Sequence, residues 1–216
     1  MSRKQRKPPY HHGNLRAALI EGGVQLIQEE GLRALTLREI GNRLGVSRSA
    51  AYRHFTDKAA LLSAISEAGF IEFGNVLQAA KDSVPTDFAS RMDAMGVAYV
   101  RFAREHRAHF EVMFGEPLAP GSPAAEAGAR AFGILEQTIR EGQECGEVRP
   151  GDSRLLARAV WAMSHGVSTL RLDGDAAEPR FIRFGSGVLR TGLENGDHSG
   201  GPGLGTAQRS KQLPRG

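Results

Sequence analysis

Four helix starts, each preceded by a side chain suited to cap it, fall between residues 14 and 60, and this constrains the fold more than any other feature of the chain. From Asn14 to Glu30 the apolar residues Leu15, Ala18, Leu19, Leu26 and Ile27 recur at helical spacing, and Gly31 closes the run as a C-cap. Gly22 and Gly23 inside it each cost about 1 kcal/mol relative to Ala, so this helix depends on packing. Thr36 with Glu39 three residues later forms a capping box: the hydroxyl accepts from the third amide and the carboxylate reaches back. A short helix over 37–44 follows. Gly45 stops it, because the turn there needs left-handed backbone that only Gly adopts without strain. Ser47 caps a helix of about 48–55, and Asp57 caps another that begins at Lys58.

Beyond residue 60 the pattern predicts helices near 58–80, 86–105, 107–114, 122–144, 152–172 and 178–194, broken by Pro85, by Pro117 to Pro123, by Pro150-Gly151 and by 173–179. No period-2 strand is expected, so the fold class is all-α. Residues 195–216 are rich in Gly and nearly free of apolar side chains, and are expected to be disordered. No apolar run approaches the roughly 18 residues of a membrane span. The basic stretch Met1 to Pro9 lacks the apolar segment of a secretory signal. Cys145 is the single cysteine of the 216 residues, which fits a reducing compartment. A soluble cytoplasmic chain is expected, with no membrane partner.

Charge is uneven. Residues 1–60 hold eleven Lys/Arg against five Asp/Glu, whereas the remainder is mildly acidic. A basic first quarter suggests a polyanionic partner, although a solvated surface with uneven charge gives the same count.

The segment from Leu37 to Phe55 says more. Ile40, Leu44, Val46 and Ala51 supply inward positions across two short helices, Gly41 lets them cross closely, and Gly45 makes the turn. That is helix-turn-helix logic, over about 36–55, with the second helix presented to the major groove of double-stranded DNA. Ser47, Arg48, Ser49, Tyr52, Arg53 and His54 fall on the outer face. Arg48 suits a bidentate guanine contact, and Ser49 is small enough for close approach. Tyr52, His54 and Lys58 suit phosphates.

Here the chain resembles a known family. Residues 12–62 look like the N-terminal domain of the TetR (tetracycline-repressor) family of bacterial transcriptional regulators. The resemblance rests on Ala34-Leu-Thr-Leu-Arg-Glu-Ile40, on Gly45-Val-Ser47, and on Tyr52-Arg-His-Phe-Thr-Asp-Lys58 followed by Leu61-Leu62. It implies an N-terminal three-helix helix-turn-helix domain and a helical regulatory and dimerisation domain over 63–194. It further implies a homodimer, a palindromic operator, and usually repression relieved by a small-molecule effector. The family's DNA contacts carry onto Thr36, Arg38, Ser47, Arg48, Ser49, Tyr52, Arg53, His54 and Lys58. The arm over 1–11, with Arg3-Lys-Gln-Arg-Lys7, suits a minor groove or phosphates, or is merely solubilising.

In the second domain, Ala159-Val-Trp-Ala-Met-Ser-His-Gly-Val167 and Phe110-Glu-Val-Met-Phe114 resemble the Trp/His-Gly subgroup of C-terminal domains. Trp161 and His165 share a helix face and could line a ligand pocket, with Tyr99, Phe102, Phe110, Met113 and Phe114. Core packing explains the same residues. Leu155, Leu156, Val160, Met163, Val167 and Leu170, then Phe181, Ile182, Val188 and Leu189, form stripes on helices 152–172 and 178–194. The family pairs these two helices from each subunit, and a two-fold dimer suits palindromic half-sites.

Other classes find little support. His106 and His109 beside Glu105 lack metalloprotease spacing, and Gly185-Ser-Gly187 follows no strand. His11-His12 read as surface groups and Cys145 as an incidental thiol. No catalysis, metal or cofactor is expected. A non-specific architectural DNA binder and a ligand-responsive activator remain the alternatives.

Overall fold

The computed structural model describes residues 15–170 and 192–193. The arm over 1–11, the expected helix over 178–194 apart from 192–193, and the tail over 195–216 lie outside the described residues. Within them, eight α-helices follow in order: α1 (Leu15–Glu30), α2 (Leu37–Leu44), α3 (Arg48–His54), α4 (Lys58–Asp82), α5 (Phe88–Glu105), α6 (Arg107–Gly115), α7 (Pro123–Glu144) and α8 (Ser153–Thr169). One 3-10 turn, Leu32–Ala34, joins α1 to α2, and no strand occurs among the described residues.

Two hydrophobic cores organise these helices. The first is built by Leu19, Leu26, Leu35, Ile40, Leu61 and Ile65, all fully buried, with Ala51 and Phe55 of the α3 segment. The second lies among α4, α5, α6, α7 and α8 around Phe73, Phe102, Met113 and Ile139. α4 serves both. Its 25 residues make it about 37 Å long, so its first turns close the first core and the rest backs the second. α6 is likewise shared: Ala108 and Val112 belong to the first core, while Phe110 and Met113 belong to the second.

Gly22 and Gly23 acquire a physical reason. A Cβ on Gly22 would stand 3.1 Å from Ile40 Cγ2, and one on Gly23 would stand 3.0 Å from Ile65 Cδ1. The packing that α1 needs therefore comes from α2 and α4 resting against bare backbone. Gly41 behaves otherwise than expected. A Cβ there meets Val46 O at 3.6 Å, ordinary contact, so no close crossing requires Gly. Because Ala is favoured over Gly in a helix interior by about 1 kcal/mol, Gly41→Ala should leave the melting temperature unchanged or raise it in a thermal denaturation scan.

α4 also corrects the expectation that no run is long and apolar enough to span a membrane. Its mean hydropathy over 18 residues reaches 1.3, but half of that window is buried inside the fold. The helix is apolar because neighbours cover it on several sides.

Candidate DNA-reading face and ligand groove

The helix-turn-helix is held by short-range capping. Thr36 Oγ1 accepts from the Glu39 amide at 3.1 Å and Ser47 Oγ from the Ala50 amide at 3.2 Å. Asp57 Oδ1 accepts from the Ala60 amide at 2.8 Å. Gly45 sits at φ 67°, the left-handed turn expected of it. Only half of the Thr36 capping box forms. The Glu39 carboxylate lies 3.5 Å from Arg43 Nε instead, and the same guanidinium bonds Glu29 and Glu30. Arg43 thereby ties α2 to the end of α1, and its charge is held internally rather than offered to a polyanion.

The residues onto which the resemblance carries DNA contacts lie on α2, on α3, at their caps and at the start of α4. Thr36, Arg38, Ser47, Arg48, Ser49, Tyr52, Arg53, His54 and Lys58 are all exposed, while Ala51 and Phe55 anchor the helix from below. The Arg48 guanidinium lies 5.3 Å from the centre of the Tyr52 ring, which narrows the orientations it samples. Ser47 Oγ and Ser49 Oγ are 3.1 Å apart. The Thr36 and Ser47 oxygens are occupied as caps, and either serine hydroxyl of the Ser47–Ser49 pair can be the donor. Lys58 Nζ donates to Leu32 O at 3.1 Å, so the ammonium is steadied at the start of α4 with other N–H groups free.

In the second half, α8 presents three faces. Leu156, Ala157 and Val160 enter the core. Leu155 and Met163 on the helix and Leu170 at its C-cap are large apolar residues left exposed beside that core face, at 64%, 44% and 62%. The stripe read from sequence therefore divides: Leu156 and Val160 pack internally, and Leu155, Met163 and Leu170 face outward. The third face carries Arg154, Arg158, Trp161 and His165.

That third face borders an open groove of about 650 Å³ between α4, the end of α6, α7 and α8. Phe114, Leu118, Phe132 and Trp161 supply apolar walls, with Arg154 and Arg158 on α8. Of the residues assigned to a pocket from sequence, Met113, Phe114 and Trp161 line this groove. Tyr99 and Trp161 line a separate cavity of about 30 Å³ inside the core, room for one water. Phe102, Phe110 and His165 line neither of these two spaces. Phe102 stacks on His106 at 4.6 Å, and His165 stacks on Phe110 at 5.3 Å. Sequence reasoning missed Arg154 and Arg158, although their i, i+4, i+7, i+11 spacing with Trp161 and His165 marks one helix face.

His165 Nδ1 lies 3.1 Å from the Tyr99 hydroxyl. Burial pushes the Tyr99 phenol up and holds the His165 imidazole below its ordinary value, so the pair is neutral near pH 7. Burial, then the neighbouring His106, lowers His109 as well. A histidine depressed in the folded state charges more readily when unfolded. Stability should therefore fall as pH drops below about 6.5 and through the folded values. Thermal melts from pH 7.5 to 5.5 should show this slope, and it should flatten in the His109→Gln/His165→Gln double variant.

Residues 19–65 match the family described as bacterial regulatory proteins, tetR family, and residues 92–182 match the tetracyclin repressor-like C-terminal domain. The chain belongs to the TetR family. Like its relatives it is a helix-turn-helix transcriptional regulator that binds DNA through the N-terminal domain. A structure from Rhodococcus sp. RHA1, of a protein with unknown function, is 32% identical with a TM-score of 0.78, covering 87% of this chain and all of that one. HTH-type transcriptional regulator Rv1816 of Mycobacterium tuberculosis is 23% identical over 74% of this chain and 81% of its own length. Tetracycline repressor protein class C of Escherichia coli is 43% identical, but only over 53 residues, about a quarter of each chain.

Proposed function

We propose that this TetR-family protein is a homodimeric repressor of a palindromic operator, acting in the cytoplasm and released when a small molecule occupies the second domain. The observation that carries this reading is the division of α6. Ala108 and Val112 sit in the first core, against α1 and α4, while Met113 and Phe114 line the groove. A ligand that favours one placement of α6 shifts the population between arrangements that fit successive major grooves and arrangements that do not. The outward face of α8, with Leu155, Met163 and Leu170, supports pairing with a second copy. Trp161, which lines the groove, and His165, one turn on and stacked on Phe110, are the residues on which the Trp/His-Gly reading rests.

The test is selection of binding sites from fragmented genomic DNA at physiological salt. One short palindrome upstream of a few genes supports the reading, and raised transcription of those genes in a deletion strain makes the protein a repressor rather than an activator. Diffuse recovery that vanishes with rising salt favours the architectural binder. On the selected site, Arg48→Ala should weaken binding by about 1–3 kcal/mol and relax preference at one base position, read by quantitative binding to a panel of single-base variants.

A further inference from the structure

We infer that the groove beside α8 takes an apolar molecule ending in a carboxylate, with Arg158 as the group that selects the anion. This deepens the proposed function, because it rests on the groove being the effector site and names the ligand's chemistry.

The groove's walls are aromatic and aliphatic. Phe114, Leu118, Phe132 and Trp161 line it, while Ala125, Gly128 and Ala129 leave α7 flat enough for a chain or ring to lie along it. A volume of about 650 Å³ is within the range of pockets for ligands of modest size. Such a site gains affinity from apolar burial and specificity from a few polar groups.

Three charged residues border it: Arg154, Arg158 and Glu116. They are not equivalent. Arg154 Nη1 already lies 3.7 Å from Glu136, and its guanidinium stands 5.8 Å from the Phe132 ring centre. Glu116 belongs to the loop after α6, on a different wall from α8. Arg158 has no ion-pair partner among the described residues, and it lies one helical turn from both Arg154 and Trp161. A guanidinium beside an apolar wall, with no protein anion paired to it, complements a ligand whose apolar body fills the wall and whose planar anion meets the fork. A neutral alcohol gains only the wall. A cationic amphiphile meets two arginines.

Trp161 is the single tryptophan of the chain and lines the groove, so its fluorescence reports occupancy without DNA or a known operator. The full-length protein is titrated with decanoate, 1-decanol and decyltrimethylammonium below their aggregation thresholds. Decanoate should bind saturably and at least tenfold more tightly than decanol, with the cation weakest. Arg158→Gln should bring decanoate to within about twofold of decanol. Arg154→Gln should keep most of the preference, because that charge is shared with Glu136. Ala129→Phe, an exposed position in the groove, should abolish both responses. Equal affinities for all three probes, a preference that survives Arg158→Gln, or no saturable response overturns the inference. Failure of the proposed function reads differently: decanoate that binds with the expected preference but leaves operator binding unchanged confirms the site's chemistry and removes its effector role.

Discussion

Phe73→Ala is expected to remove about 4 kcal/mol of folding stability, measured as a shift of the urea midpoint at unchanged slope. Phe73 is fully buried on α4 and meets three rings: Tyr99 at 4.9 Å, Phe102 at 4.9 Å and Trp161 at 5.6 Å between centroids. Two of these pairs are edge-on, the arrangement favoured by ring quadrupoles. Removing the ring opens a void bounded by α5 and α8, whose backbones are tied elsewhere and close it only in part. Phe73→Leu keeps most of the volume and should cost under about 1.5 kcal/mol. A loss in Phe73→Ala no greater than that of Phe73→Leu would mean that the second core collapses onto the gap.

Glu141→Ala should cost about 3 kcal/mol, through electrostatics rather than volume. The Glu141 carboxylate on α7 bonds Lys81 of α4, at 2.9 and 3.1 Å, and Arg91 of α5, at 2.8 Å. Lys81 is buried, so without the carboxylate two cations face one another with no anion. The Arg91 Nε is buried without a partner already. Lys81→Met placed on Glu141→Ala should recover part of the loss, since it removes the stranded charge. Burial alone would raise the Glu141 carboxyl, but hydrogen bonds from Lys81 and Gln137 and the nearby charges win and hold it below the usual carboxylate range. Its contribution is therefore present above about pH 4.3 and lost as pH falls through the folded value. Acid unfolding of Glu141→Gln should lack that component.

The parts legible in the sequence are those decided within a few residues. Thr36, Ser47 and Asp57 cap helices through amides three positions away, and Gly45 needs only its own backbone angle. The outward set on α3 follows from helical periodicity once Ala51 faces inward. What the sequence concealed is decided by distant partners. Gly22 and Gly23 look like weak points until Ile40 and Ile65 are seen against them. Arg43 counts as a base available to DNA until Glu29, Glu30 and Glu39 are found around it. Lys81 and Glu141 stand 60 residues apart, and each alone reads as a solvated charge on a helix. The groove draws on four separate elements, so aromatic residues that pack and aromatic residues that line it carry the same local pattern.

The sharing of α4 and α6 between the two cores bears on how this chain could be recombined with its relatives. α4 runs unbroken through residue 62, where the sequence reading divides the domains, and Ala108 and Val112 complete the core beneath α1. A chimera that grafts residues 1–62 onto another regulator's body would carry over every side chain of the candidate DNA-reading face. It would also seat its α1 on foreign residues at the positions of Ala108 and Val112. A hybrid matched only by its recognition helix should therefore bind its operator and answer its effector poorly, and rematching α1 to α6 should restore the connection.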